Sequence, residues 1–277
     1  MSAAAAGFGT VVLTGATSGI GEATARRLAD RTRTLILHGP EQSDAVEPLL
    51  RELRSAGTAA VHYVSADFAR LNEVAAAARA IRTHAPHGID LLINDAGVPG
   101  APRRILTADG FERTLQVNAL APALLTRLLV PSLATPARIV NVASSAHRVE
   151  RFHFVDVDLD HGYTPVAAYA RAKLAMLTWS TLLAEEEAGM PTTVVALCPG
   201  LNDTPLSAAM MGRIGGPPTN GAARVLHAAV ADVPSGAYLE EDAVVAPSPE
   251  VTDPENRRRL TELFRHRLSP VAIGAGA

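Results

Sequence analysis

Short runs of apolar and β-branched residues alternate with longer amphipathic stretches from one end of this chain to the other. The candidate strands are Thr10–Thr14, Thr34–His38, Ala59–Val64, Ile89–Ile93, Arg138–Val142, Thr192–Leu197 and Ala237–Leu239. Helical periodicity fills the intervals, for example at Gly19–Arg31, Asp44–Ser55, Leu71–His84, Phe111–Leu129 and Val166–Glu186. A chain that repeats strand and helix in this way buries both faces of a parallel sheet under helices. The expectation is an α/β, doubly wound parallel sheet. No Pro/Gly-rich linker divides the alternation, so residues 1–277 read as one domain, with 1–7 and 270–277 as flexible ends. The cluster Gly215–Pro218 reads as a surface loop, and Thr252–Leu268 as a terminal helix.

Composition removes several classes of function. A net charge of -3 offers no electrostatic footprint for nucleic acid. No stretch approaches the ~18 consecutive apolar residues of a membrane span. The first residues lack a positive start and do not read as a secretory signal. The single cysteine, Cys198, has no partner for an internal disulfide and suggests a reducing cytoplasm. Cys198 ends an apolar run before Pro199 and reads as a packing residue.

The first strand runs into Thr14-Gly15-Ala16-Thr17-Ser18-Gly19-Ile20-Gly21, with a helix following at once. Glycines there permit a tight turn and let backbone N–H groups approach a pyrophosphate seated at the positive end of the helix. The assigned binding residues are Gly15, Thr17, Ser18, Gly19, Ile20 and Gly21. The spacing is T-G-x-x-x-G-x-G, and with later segments the chain resembles the short-chain dehydrogenase/reductase family, in the branch containing retinol dehydrogenases and their bacterial relatives. The resemblance covers roughly residues 8–268 and implies a Rossmann-like fold and a nicotinamide dinucleotide as cofactor. Asp67-Phe68 resembles the family's acidic position near the adenine ring. Asn94-Asp95-Ala96-Gly97 resembles its N-N-A-G segment, which assigns Asn94, Ala96 and Gly97 to the cofactor. Asp95 departs from the usual asparagine and receives no role.

The tip of the second strand normally reads the 2′ position of the adenine ribose, where an acidic residue favours NAD and a basic one NADP. Here it reads Leu37-His38-Gly39-Pro40-Glu41. Pro40 stands where many NADP-using relatives carry Arg, and no Asp takes its place. His38 could assist a phosphate and Glu41 could oppose one. The reading leans to NADP and leaves NAD open.

Lys and Arg together number 25, and every one except Lys173 is Arg. That one lysine lies four residues after Tyr169 in a helical pattern, so both side chains share a face. Free tyrosine, with a pKa of ~10, is a poor proton acceptor near neutrality. An ammonium about 4–5 Å away would lower that pKa by ~2 units. Guanidinium is bulkier, planar and far harder to deprotonate, so it cannot replace lysine there. A Y-x-x-x-K spacing alone is weak, but the survival of lysine at this one position makes it specific.

Upstream, Arg138-Ile139-Val140-Asn141-Val142-Ala143-Ser144-Ser145 ends a strand in hydroxyls that can bond a substrate oxygen. The family pattern selects Ser144, with Ser145 one residue away as the runner-up. Asn118 resembles the family asparagine that kinks the fourth helix and links the lysine to solvent. Pro199, Gly200 and Thr204 resemble its P-G-x-x-x-T turn, which contacts the nicotinamide side of the cofactor. The segment His147–Pro165 resembles the insert of the retinol dehydrogenase branch, and Ser235-Gly236-Ala237-Tyr238 its S-G-x-Y segment. Residues 201–219, with Met210-Met211, occupy the place of the family's substrate lid; flexible thioethers there suit apolar ligands. Asp156, Asp158 and Asp160 lack the glycine and terminal glutamate of a calcium loop and are assigned no metal.

The resemblance thus implies an oxidoreductase acting on a bulky apolar ketone, aldehyde or alcohol, with Tyr169 moving the proton. It leaves room for a homo-oligomer. Two alternatives use the same features. A cofactor-sensing regulator would need the dinucleotide site but not Ser144, Tyr169 and Lys173 together. An epimerase or dehydratase would use a similar Tyr/Lys pair but usually needs a larger C-terminal domain.

Overall fold

The computed structural model describes residues 7–57 and 59–274. Eight strands form one sheet in the order β3-β2-β1-β4-β5-β6-β7-β8. They are β1 Phe8–Leu13, β2 Thr32–Gly39, β3 Ala60–Ser65, β4 Ile89–Asn94, β5 Leu133–Val142, β6 Thr192–Cys198, β7 Tyr238–Glu240 and β8 Ala243–Val244. All pairings are parallel except β7 with β8.

The pleat explains why the strands read as continuous apolar runs. Val12, Ile36, Leu92, Ile139 and Val194 face one layer. Val11, Leu13, Leu35, Leu37, Leu91, Ile93, Val140 and Val195 face the other. Alternate residues therefore point to opposite faces, and both faces are buried.

Helices α1 Gly19–Leu28, α2 Ser43–Ala56 and α8 Pro218–Val230 cover the second of these faces. The first is covered by α3 Leu71–His84, α5 Ala121–Leu129, α6 Pro165–Glu186 and α10 Pro254–Gly274. Three short helices, α4 Arg113–Leu115, α7 Pro205–Met211 and α9 Pro249–Thr252, complete the described fold. Strand order reverses at β1, whose neighbours are β2 and β4, and a crevice opens there beyond the carboxyl ends of the strands.

The structure departs from the sequence reading in several places. The stretch expected to be one helix over Phe111–Leu129 starts at Arg113 and contains a π-helical turn, Gln116–Leu120, between α4 and α5. The segment expected to form a lid, residues 201–219, holds a helix, α7, and Pro218 of the expected loop opens α8, where its missing N–H would have had no helical partner. The terminal helix is two helices, and α10 runs beyond Leu268 to Gly274. The flexible ends assigned to 1–7 and 270–277 lie outside the described residues over 1–6 and 275–277.

Candidate active site

Two adjoining cavities open at the carboxyl end of the sheet. The larger, about 570 Å³, is lined by Gly15, Thr17, Ser18, Gly19 and Ile20, then by Asp67, Phe68, Ala96 and Gly97, and by His38, Pro40 and Glu41. The second, about 480 Å³, holds Ser144, Ser145, Tyr169, Lys173, Pro199 and Gly200. Ile20, Asp95, Gly97, Thr204 and Leu206 line both.

The glycine turn is shaped for close backbone approach. Gly15 has φ +68, and a Cβ on it would lie 2.7 Å from the Ala96 Cα. A Cβ on Gly21 would lie 2.1 Å from the Gly15 carbonyl oxygen. The Thr14 hydroxyl accepts the Asp95 and Ala96 N–H groups at 3.1 Å each, which ties the β4 exit to the turn. Ser18 caps α1 without a side-chain bond, so the first N–H groups of the helix stay available to an anion. A nicotinamide dinucleotide fits this cradle: a pyrophosphate suits the α1 N-terminus, and the remainder of the cavity reaches Asp67 on one side and the β2 tip on the other.

Not every expected cofactor residue presents its side chain to the cavity. Asn94 is buried and donates to Thr126 Oγ1 and Asn141 Oδ1, both at 2.9 Å. It braces the sheet instead of lining the cavity. Phe68 is buried with its ring stacked on His38 at 4.1 Å. His38 is itself only 2% exposed; its Nε2 sits 3.0 Å from the Ala66 carbonyl oxygen. Burial holds its pKa down at about 4, so the ring is neutral and no counter-charge for a phosphate. Asp67 accepts the Ala69 N–H at 2.8 Å.

In the second cavity, α6 supplies Tyr169 and Lys173 one turn apart, its start fixed by Thr164, which accepts the Ala167 N–H at 3.0 Å. The Lys173 ammonium donates to the Val142 carbonyl at 2.8 Å and lies 5.7 Å from the Tyr169 ring centroid. Burial lowers its pKa to about 8, although Asp95 and Cys198 pull it up.

Tyr169 differs from the sequence expectation. Burial pushes its pKa up to about 12, the Ser144 hydroxyl lowers it by hydrogen bonding, and the charge of Asp95 raises it. Desolvation of the phenolate outweighs the lowering by the Ser144 hydroxyl.

Ser144 caps the short turn Ser145–Arg148 and accepts the Ala146 N–H at 3.2 Å. Its carbonyl is held by His147 Nδ1 at 2.8 Å, while His147 Nε2 accepts the Ser248 N–H at 3.1 Å. The Ser248 donor fixes the tautomer, so Nδ1–H donates to Ser144. Ser145 instead gives its N–H to Cys198 Sγ at 3.2 Å.

Asn118 lies in the π-helical turn, but its amide bonds the Val98 backbone twice, accepting the N–H at 2.8 Å and donating to the carbonyl at 2.9 Å. Its side chain is therefore not what would link Lys173 to solvent. Thr204 caps α7 and packs against the glycine turn, its Cγ2 3.2 Å from where a Gly19 Cβ would be. The aspartates of the insert are held by the protein itself. Asp158 pairs with Arg267 at 3.0 Å, and Asp156 accepts the Asp160 and His161 N–H groups.

Sequence reasoning passes over two residues of the site. His147, buried behind Ser144, reads in the sequence only as one polar residue of the insert. Asp95 reads as a departure from the family, yet the departure is the signal: it brings a carboxylate to the boundary of both cavities. Burial raises that carboxyl to about 7, and Lys173 lowers it.

A fold with a dinucleotide cradle at the strand-order reversal and a Ser/Tyr/Lys cavity beside it defines a nicotinamide-dependent oxidoreductase. The family model for the short chain dehydrogenases matches residues 9–212, and the chain belongs to that family. It is 33% identical over 271 residues to polyprenol dehydrogenase of Mus musculus, covering 90% of this chain and 80% of that protein. It is 35% identical over 276 residues to retinol dehydrogenase 13 of Homo sapiens, covering 91% and 82%. Its fold matches the crystal structure of an uncharacterized protein from Mycobacterium paratuberculosis with a TM-score of 0.80, at 31% identity over 94% and 93% of the two chains. The protein is thus an NAD(P)-dependent dehydrogenase acting between CH–OH and C=O. No helix among the described residues is long and apolar enough to cross a membrane.

Proposed function

We propose that this chain is a carbonyl reductase or alcohol dehydrogenase for a bulky apolar ketone, aldehyde or alcohol, with Tyr169 as its proton donor and acceptor. The observation that carries the reading is the meeting of Ser144, Tyr169 and Lys173 in one cavity beside the glycine cradle. The nicotinamide, when bound, supplies or takes the hydride at the carbinol carbon. Ser144 orients the substrate oxygen by donating a hydrogen bond to it. In the reducing direction Tyr169 gives its phenolic proton to that oxygen, and the tyrosinate left behind is stabilised by Ser144 and by the Lys173 ammonium. In the oxidising direction the same tyrosinate removes the alcohol proton.

The substrate class follows from the walls. Val149, Val166, Leu201, Leu206, Met210 and Met211 surround the catalytic hydroxyls, and Met210 and Met211 come from α7 within the proposed lid, residues 201–219. Burying apolar substrate area against such walls contributes about 25 cal/mol per Å². Thr204, Pro199 and Gly200 at the base of that segment would contact the nicotinamide end, with Asp67 near the adenine end. We place the protein in the cytoplasm on the strength of its lone buried cysteine. A panel of ketones, aldehydes and long-chain alcohols, each run with NADH or NADPH and with NAD or NADP, tests the reading. Substrate-dependent change in nicotinamide absorbance is expected; cofactor binding without turnover of any compound would overturn it.

A further inference from the structure

The larger cavity ends at the tip of β2, where the adenine ribose of a dinucleotide held by the glycine turn would lie. Side chains from three segments crowd the space that a Gly39 side chain would occupy. Thr17 Cγ2 is 2.5 Å from that Cβ position, Glu41 Oε2 2.8 Å and the Tyr63 hydroxyl oxygen 2.9 Å. Tyr63 is fixed in turn, donating its hydroxyl proton to the Glu41 carbonyl at 2.8 Å. The Glu41 carboxylate is thus folded back over Gly39, toward the cavity it lines.

The other groups at this corner add no positive charge. Pro40 has no N–H to offer. Thr17 and Ser18 contribute hydroxyls. His38 lies beneath the tip, buried, with Nε2 against a carbonyl oxygen that requires a donor; its Nδ1 then carries a lone pair and no proton. The cation among the cavity-lining residues is Arg113, on α4 beside Glu112 and close enough to act on the Tyr163 phenol.

We infer that the corner formed by Gly39, Pro40, Glu41 and Thr17 selects a ribose with a free 2′-hydroxyl, so that this chain uses NAD in preference to NADP. A 2′-hydroxyl can donate to the Glu41 carboxylate. A 2′-phosphate would bring close to two negative charges against that carboxylate, with no guanidinium or ammonium among Gly39, Pro40, Glu41 and Thr17 to neutralise them and no backbone donor at position 40. The inference rests on the nicotinamide-dependent reading of the site and reverses the lean drawn from the sequence, because the residue that could have favoured a phosphate, His38, is neutral and enclosed.

Calorimetric titration of the full chain with NADH and with NADPH, at one ionic strength, tests it without any substrate. The dissociation constant for NADH is expected to be at least about tenfold lower. Glu41→Gln should strengthen NADPH binding severalfold and narrow the ratio, while Pro40→Arg, which adds the missing cation at an exposed position, should narrow it further. Equal or tighter binding of NADPH by the wild-type chain would overturn the inference and leave the oxidoreductase reading standing. A ratio unmoved by both substitutions would overturn the role of this corner. Binding of neither nucleotide would overturn both readings together.

Discussion

Replacing Lys173 with Met should stabilise the protein near neutral pH while removing its activity. The side chain is 5% exposed and its ammonium has one hydrogen-bond acceptor, the Val142 carbonyl at 2.8 Å. Burial lowers its pKa from 10.5 to about 8. The interval corresponds to about 3 kcal/mol at about 1.4 kcal/mol per decade, borne by the folded state whenever the lysine is charged in both states. A base with a depressed folded-state pKa costs its full amount below pH 8. The cost fades as pH rises from 8 toward 10.5 and is gone above the unfolded value. Methionine has nearly the same length and no charge, so the substitution removes this cost and loses one hydrogen bond worth about 1 kcal/mol. The net gain at pH 7 is about 2 kcal/mol, read as a higher urea midpoint with an unchanged slope. Repeated at pH 10.5, the same comparison should show no gain or a small loss. A variant less stable than the parent at pH 7, or a gain of the same size at both pH values, would refute the idea that a buried, costly charge is retained for chemistry.

Three further outcomes follow from the same geometry. Ser144→Ala should lower turnover about 10²-fold with cofactor affinity intact, whereas Ser145→Ala should stay within a few-fold of the parent; steady-state kinetics on the two variants distinguishes the adjacent hydroxyls. Asp95→Asn removes a carboxyl whose pKa burial raises from 3.8 to about 7, so its stability gain should be absent below pH 4, grow between pH 4 and 7 and level off above, as urea titrations across that range would show. The same change removes a negative charge that raises Tyr169, so the pH–rate profile should move to lower pH. Gly21→Ala forces a Cβ to 2.1 Å from the Gly15 carbonyl oxygen, so calorimetry should find dinucleotide binding lost or weakened by orders of magnitude.

The core of the fold is legible because parallel strands buried on both faces leave continuous apolar runs, and seven of the eight strands stand where those runs place them. What escapes depends on contacts distant in sequence or on local devices that periodicity does not register. The π-helical turn at Gln116–Leu120 adds about one residue per turn, which a 3.6-residue pattern absorbs unseen. Helix α7 is held by the reciprocal Thr204–Ser207 cap, not by an apolar stripe. The glycine turn and the Tyr169–Lys173 pair are readable since their chemistry needs those residue types at those spacings. Asn94, Asn118 and His38 show the limit of such reading. Each stands at the expected position, but its side chain is engaged by groups from other segments: Asn141 and Thr126, the Val98 backbone, and the Ala66 carbonyl with Phe68. No pattern within one strand or helix reveals which way such a polar group turns.

Of the 25 Lys and Arg residues all but one are arginine, and the one lysine lies buried 5.7 Å from the ring of the phenol that the proposed chemistry requires. The most direct measurement is therefore turnover by Tyr169→Phe alongside calorimetric titration of the same variant with NADH. The account predicts a loss of turnover of about 10³-fold or more with the NADH dissociation constant within about threefold of the parent. A Tyr169→Phe variant that turns over within about tenfold of the parent would contradict the assignment of Tyr169 as the proton-transferring group.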